Sequence, residues 1–495
     1  MKGREIPPLA LMTAAGFLVL GYHPYTDDAA FYVPAIKKAL DPGLYPRSAE
    51  FFETHARLTL FPSLVAGTVR LTHLPLDVVL LLLQAACLFL FLLSCWKLAC
   101  VCFEAPEARW CAVAALAAAL TVPVAGTAIF IFDSFLNPRC ISAFAATFAV
   151  AAAVERRYVV SGVWLACAAL VHPLMTAYGA LFVALLAWQQ GREAAGVSRV
   201  AEVSTAAAAL LWAVPLGLSL DAPTPAYHQA ALRHDFHYVV RWEWYEWIGI
   251  VAPVCVFLWL ERVARRHDMR NVAALCRALV IFVPALLGAA LVLDIPARFE
   301  ALARFQPMRG LYITYVLLFV LLGGMLGQFV LKRSAVRWLA LFAPVCAGLF
   351  AYQLQAMPAS RHCEWTGATS GNDWVDAFTW IRGNTPRDAY FALDPLYLEA
   401  AGEDVHSFRA IAERGALADV VKDSGAVSMF PGLADEWWEQ VEAQRGWKSF
   451  RLDDFQRLKS RYGVDWVVLE RTAPRDAAGL ACPYQNERAL VCRVP

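Results

Sequence analysis

Charge is what this 495-residue chain has least of. Asp, Glu, Lys and Arg make up 17% of it against 59% hydrophobic residues, and the mean hydropathy is +0.49. A water-soluble domain carries roughly a quarter charged residues, so most of this chain is expected to be solvated by lipid. The balance of sign is also nearly nil, +1 at neutral pH, which gives no electrostatic footprint for nucleic acid. Phosphate-cradling glycine loop, dinucleotide fingerprint, nucleophile elbow and zinc-protease motif are all missing, so soluble nucleotide-driven chemistry is not indicated. Internal repeats and low-complexity tracts are absent too. The first apolar run ends in Gly21-Tyr22-His23-Pro24 and lacks a small-residue cleavage site; it is expected to be kept as a first span.

Cysteine is not scarce. Seven of the thirteen (Cys87, Cys95, Cys111, Cys167, Cys255, Cys276 and Cys346) lie in apolar runs, where they act as small hydrophobes. Cys363, Cys482 and Cys492 fall in a polar C-terminal part. The last two flank a turn and a short strand. They would form a hairpin disulfide if that region lies in an oxidising compartment, although the spacing alone does not fix the geometry.

Apolar runs recur up to Met357, near 8–22, 75–97, 108–131, 139–154, 158–171, 174–189, 200–220, 243–260, 272–293, 310–331 and 335–357. The pattern predicts a polytopic α-helical membrane protein of about 11 spans. The run 57–73, with an arginine at each end of its core, reads as an interfacial helix of the first loop. The positive-inside rule places Lys2 and Arg4, Lys97 and Arg109, Arg156 and Arg157, and Arg192 and Arg199 in the cytoplasm. It adds the clusters Arg262/Arg265/Arg266/Arg270 and Lys332/Arg333/Arg337. Joining 158–189 into one helix would export both clusters; Pro173 supports breaking it. The first loop, 22–74, and the C-terminus are then extracytoplasmic. From Ser360 onward Asp, Glu, Trp and turn residues appear. A helix over Trp374–Arg382, a strand over Ala389–Leu393, a helix over Leu452–Tyr462 and a strand over Val464–Glu470 predict an α/β domain. The expected division is 1–357 for the bundle and 358–495 for the extracytoplasmic domain.

Two adjacent acids just past the first span, Asp27 and Asp28, are costly near lipid unless used. They have the chemistry to deprotonate an acceptor hydroxyl or to hold a divalent metal against a phosphate; they also read as the start signal of a helix beginning at Ala29. His55 lies in the same loop. Arg298, Arg304 and Arg309 form an extracytoplasmic set whose planar forks suit phosphate oxygens, or which anchor the interface by snorkelling. Arg139 and His172 sit at extracytoplasmic helix ends and are further cavity candidates. The His228, His234, Asp235, His237 cluster matches no standard zinc spacing and reads as a solvated loop; Trp242, Trp244, Tyr245 and Trp247 read as an interfacial belt.

These residues resemble the GT-C superfamily, the multi-span glycosyltransferases that use polyprenyl-phosphate sugars. The resemblance lies in Asp27-Asp28 after one span, the interfacial helix, the succession of short spans and the C-terminal α/β part. The stretch Trp380-Ile-Arg-Gly-Asn-Thr-Pro-Arg-Asp-Ala-Tyr-Phe is similar to the start of that part in bacterial GT-C-like proteins of unassigned function. The resemblance implies Asp27 or Asp28 as base or metal ligand, and Arg309 with Arg298, Arg304 or Arg139 on the carrier phosphate. The partners it implies are a polyprenyl-phosphate-linked sugar and membrane lipid, with the acceptor open. The location it implies is the inner (cytoplasmic) membrane. The Trp-Trp-Asp-Tyr-Gly motif of the oligosaccharyltransferase branch is missing, since Trp437-Trp438 is followed by Glu-Gln, which argues against glycosylation of protein sequons. The runner-up expectation is a non-catalytic scaffold of a glycan or lipid assembly pathway. Transport ranks last, because charges lie at span ends rather than mid-span.

Overall fold

The computed structural model describes residues 3–192, 224–295, 297–365, 370–471 and 479–495. The fold is mostly helical and divides into two compact units. One comprises Met1–Gly21, Leu81–Asp221 and Asp235–Gln353; the other comprises Tyr22–Leu80, Ala222–His234 and Leu354–Pro495.

In the first unit, α1 (Ile6–Leu20) opens on prolines and closes at Gly21, φ 79°, the left-handed side of the map that glycine enters freely. In the second, the chain continues through α2 (Ala29–Leu40), α3 (Glu50–Ala56) and α4 (Phe61–Thr72), a helix within the run 57–73. Next come α5 (Leu76–Cys102, mostly in the first unit), α6 (Pro106–Ala118), α7 (Pro138–Val154), α8 (Tyr158–Val171) and α9 (Pro173–Arg192). The break between α8 and α9 falls at His172 as expected, with Pro173 unable to continue the hydrogen-bond ladder. The run 108–131 behaves differently. Its helix stops at Ala118; Val124 N bonds Ile129 O and Ile131 N bonds Val122 O around Pro123, folding the rest into a short non-helical loop. The span expected over 200–220 and Arg199 lie outside the described residues.

After α10 (Pro225–Leu232) come α11 (Trp244–Arg266), α12 (Arg270–Asp294), α13 (Leu311–Leu326) and α14 (Ala335–Ala356). Among the described residues, five helices have the length and apolarity to cross a membrane: Leu76–Cys102, Trp244–Arg266, Arg270–Asp294, Leu302–Leu331 and Ala335–Ala356. Packing between α6 and α13 is backbone to backbone. A Cβ on Gly323 would lie 2.5 Å from the Ala115 methyl, and one on Gly327 would lie 2.6 Å from the Glu107 carbonyl oxygen. This is the use membrane helices make of glycines four residues apart.

The second unit holds a five-stranded sheet of order β2-β1-β3-β5-β4, built from β1 (Tyr390–Ala392), β2 (Gly415–Ala416), β3 (Trp466–Glu470), β4 (Ala481–Gln485) and β5 (Ala489–Arg493). Parallel pairs β1–β2 and β1–β3 adjoin antiparallel pairs β3–β5 and β5–β4. Alternation along β3 sends Val468 into one core with Trp374, Phe378, Phe391 and Phe408. Val467 and Leu469 enter a second core with Trp447, Phe455 and Leu458. Helices α15 (Asp373–Asn384) and α16 (Phe408–Ala412) serve the first core, and α19 (Leu452–Tyr462) the second; α17 (Asp423–Met429) and α18 (Ala434–Ala443) lie between in sequence. Cys482 and Cys492 are bridged across β4 and β5. A bulge lies between Ala481 and Tyr484.

The first loop belongs to this unit by its contacts. Tyr45 Oη donates to Arg409 O at 2.9 Å, and Lys37 Nζ reaches Ala410 O at 2.8 Å and Glu413 at 2.7 Å.

Candidate functional site

Asp27 and Asp28 stand at the entrance to α2. The helix does begin at Ala29, but Asp28 makes no side-chain cap. Both carboxylates instead meet one ammonium, that of Lys422: Asp27 Oδ1 in close contact and Asp28 Oδ1 at 3.4 Å. Lys422 is largely buried. Burial alone would lower its pKa, but the charges of Asp27 and Asp28 win and hold it above the usual lysine range.

The backbone that aims these acids is strained. Asp27 adopts φ 52°, and facing it Asp404 and Val405 adopt φ 58° and 64°. For the β-branched valine this is a true outlier, costing on the order of 1–3 kcal/mol. Three chain segments clamp the turn. Tyr22 N donates to His362 O and Glu364 N to Tyr22 O, both at 2.9 Å; on the other side Asp27 N donates to Val405 O at 3.0 Å and Ser407 N to Tyr25 O at 2.9 Å.

Behind the turn lies a buried polar cluster. His406 binds Glu364 Oε1 through Nε2 and the Glu403 carbonyl through Nδ1, both at 2.8 Å. Both ring nitrogens therefore face acceptors, which calls for an imidazolium beside an ionised Glu364. Burial opposes both charges, yet the paired groups prevail: His406 is held up at about 9, and Glu364, bonded by His406 with His23 3.7 Å from its other oxygen, falls to about 2. Glu403, fully buried with neither carboxyl oxygen hydrogen-bonded, is pushed far above the carboxylate range by burial. Next to Lys422, Arg409 forks onto Asp423 with bonds of 2.6 and 2.8 Å. Asp419 accepts from the backbone N–H groups of Lys422 and Asp423 and is raised to about 7 by burial and by the Asp423 charge.

As a metal site the two acids fit poorly. An ammonium already lies between them, and among the described residues no group of three His, Cys, Asp or Glu side chains is arranged to hold an ion. His55, in α3, stacks on Phe31 with centroids 4.8 Å apart and meets Tyr32 Oη at 3.2 Å.

The remaining candidates lie in the first unit. Arg139, in the first turn of α7, is buried and bonds Asp133 at 3.0 Å, while Asn137 caps the helix and donates to the same carboxylate. Arg309 lines a crevice with Tyr178, Tyr312, Met175 and Ser142, and its guanidinium lies 5.9 Å from the Phe236 ring. Tyr178 Oη closes onto Phe305 O, and Tyr312 Oη donates to Ile131 O at 2.8 Å. Arg304 is buried over the Phe305 ring. The Arg298 side chain lies outside the described residues. At His172, Nδ1 and the carbonyl accept from the first turn of α9, Met175 N and Thr176 N.

Lys422, Glu364, His406 and the Arg409–Asp423 pair were not among the sequence candidates. No spacing in the chain ties residue 422 to residue 27, and the local signal was limited to the two acids, Asp419 and Asp423, on either side of Lys422.

No protein-family model matches the chain, and no curated protein matches it in sequence. Among solved structures, the archaeal oligosaccharyltransferase AglB from Archaeoglobus fulgidus, in complex with an inhibitory peptide and a dolichol-phosphate, is similar over 95% of this chain and 70% of its own. The TM-score is 0.51 and the identity 13%. At that identity the likeness is one of fold alone.

Proposed function

We propose that the protein is a membrane glycosyltransferase of GT-C type, which moves a sugar from a polyprenyl-phosphate carrier to an extracytoplasmic acceptor. The observation that carries the reading is Asp27, held left-handed so that it and Asp28 sit side by side on the Lys422 ammonium, within a fold like that of a protein whose structure contains dolichol-phosphate. Strained backbone of this kind collects at functional sites. One carboxylate takes the proton of the acceptor hydroxyl as it attacks the sugar carbon. Lys422 keeps the pair ionised at rest and passes one carboxylate to the incoming group. Arg309, assisted by Arg304, Arg298 and Arg139, stabilises the departing phosphate of the carrier, where charge develops. In this reading 1–357 is the membrane bundle, and 358–495, with its disulfide, faces the oxidising side of the inner membrane.

A second reading has its own support. Lys422 neutralises both acids, which is also how a purely structural ion cluster is built, and a non-catalytic scaffold would need no more. Native mass spectrometry and a transfer assay with polyprenyl-phosphate sugars separate the two. Arg309→Ala is expected to lose co-purifying carrier lipid. Asp28→Asn is expected to keep the lipid and lose transfer by roughly 10²-fold or more. Equal lipid in wild type and both variants, with no transfer by any of them, would leave the scaffold.

A further inference from the structure

We propose that His406 is the positioning residue of the first-loop acids: by tying Glu364 to the Glu403 carbonyl it fixes the left-handed turn at Asp404–Val405, and through the Val405 carbonyl it holds Asp27 in place over Lys422. The inference rests on the reading that Asp27 and Asp28 carry the chemistry, and adds the device that aims them.

The chain of contacts is continuous and lies wholly within the second unit. His406 is fully buried and is bonded at both ring nitrogens, to Glu364 and to Glu403 O. The same Glu403 carbonyl receives Asn372 Nδ2 at 3.1 Å, and Asp404 Oδ2 accepts from Ala359 N at 2.9 Å. The turn 403–406 is thus held from three sides and delivers one carbonyl, that of Val405, to the Asp27 N–H at 3.0 Å. The segment bearing His406 also bridges Thr26 in antiparallel fashion, so a shift of the imidazole moves the residue next to Asp27.

Losing the His406 proton would undo the device. Its Nδ1 and Nε2 both face oxygen acceptors, and a neutral ring has only one N–H to offer. The titratable groups around it are Glu403 and Asp404 on its own loop, Glu364 on the segment 359–365, and His23, which meets the other Glu364 oxygen at 3.7 Å; Asn372, at the start of α15, is uncharged. His406 is raised above its unfolded value, so the clamp is complete below about 6.5, where even the unfolded imidazole is protonated, and is lost as pH rises through about 9.

Hydrogen exchange of the Asp27 amide by millisecond pulse labelling of the full-length protein in nanodiscs tests this. Rates are corrected for intrinsic chemistry, and the amides of β3 and β5 serve as the global reference. In wild type, protection of Asp27 is expected to hold from pH 6 to 8 and fall near pH 9 while the sheet stays protected. His406→Ala should speed Asp27 exchange at pH 7 by roughly ten- to hundredfold, the effect of deleting a buried charged hydrogen bond. His406→Gln, which keeps a donor for one partner, should restore part of the protection and show no step near pH 9. Unchanged Asp27 protection in His406→Ala, or the same step near pH 9 in His406→Gln, would overturn the proposal. If His406→Ala loses the sheet as well, the wild-type and glutamine profiles decide. None of these readouts depends on sugar transfer, so failure here and failure of the Asp28→Asn transfer assay are distinct results.

Discussion

The two units differ in how far along the chain their polar side chains reach for partners. Many polar side chains of the helical unit find partners nearby in the chain: Thr13 with Leu9 O, Asn137 with Arg139 N and Asp133, Ser142 with Arg139 O, Thr147 with Ala143 O. The other unit joins its halves across most of the sequence, through Lys37 to Glu413, Tyr45 to Arg409 O and Lys422 to Asp27 and Asp28. In lipid a helix must meet its needs within itself, because water offers no alternative partner. The polar unit adds partners that only folding brings together.

The sharpest way to break the comparison is to remove a long side chain from the buried network. Arg409→Met leaves Asp423, which is 1% exposed, without its bidentate partner. It is expected to cost about 3–5 kcal/mol, read as loss of the sheet unit in denaturant melts followed by tryptophan emission, with the helical unit retained. A smaller effect tests the helical unit. Gly327→Ala drives a methyl against the Glu107 carbonyl and should cost about 1–3 kcal/mol by overpacking, visible as a lower midpoint in thermal unfolding by circular dichroism. The smallest expected effect separates sequence distance from burial. Arg387 pairs with Asp41 at 2.8 Å, yet both side chains are exposed; Arg387→Ala should cost under about 1 kcal/mol and less at high salt. A large effect there would mean that range in sequence, and not burial, carries the stability.

The same contrast decides what could be read before folding. The breaks at His172–Pro173, the helix at Leu452–Tyr462 and the strand ending at Glu470 are local signals of proline, periodicity and β-branching, and they stand in the structure. The helix expected through 131 does not, because Pro123 and a left-handed Ala125 and Ala128 turn an apolar run into a loop, and apolarity alone cannot distinguish the two. Asp27 and Asp28 announced themselves by being acids beside a span. Lys422 could not, since it gains its meaning only from acids nearly 400 residues away in sequence, and neither could His406, a lone histidine until the fold sets it against Glu364, 42 residues away. Gly415 likewise looks ordinary until the fold brings the Arg47 carbonyl to within 3.0 Å of where its Cβ would be.

The borders of the small sheet carry a further consequence. A sheet rim is a row of unspent N–H and C=O groups, and proteins held at a membrane surface meet one another at high local concentration. One rim, β2, is two residues long. The other, β4, is broken by Pro483 and a bulge and stapled to its neighbour. Neither offers a straight template on which a second copy could add a strand, so crowded copies have little means of zipping together through their sheets.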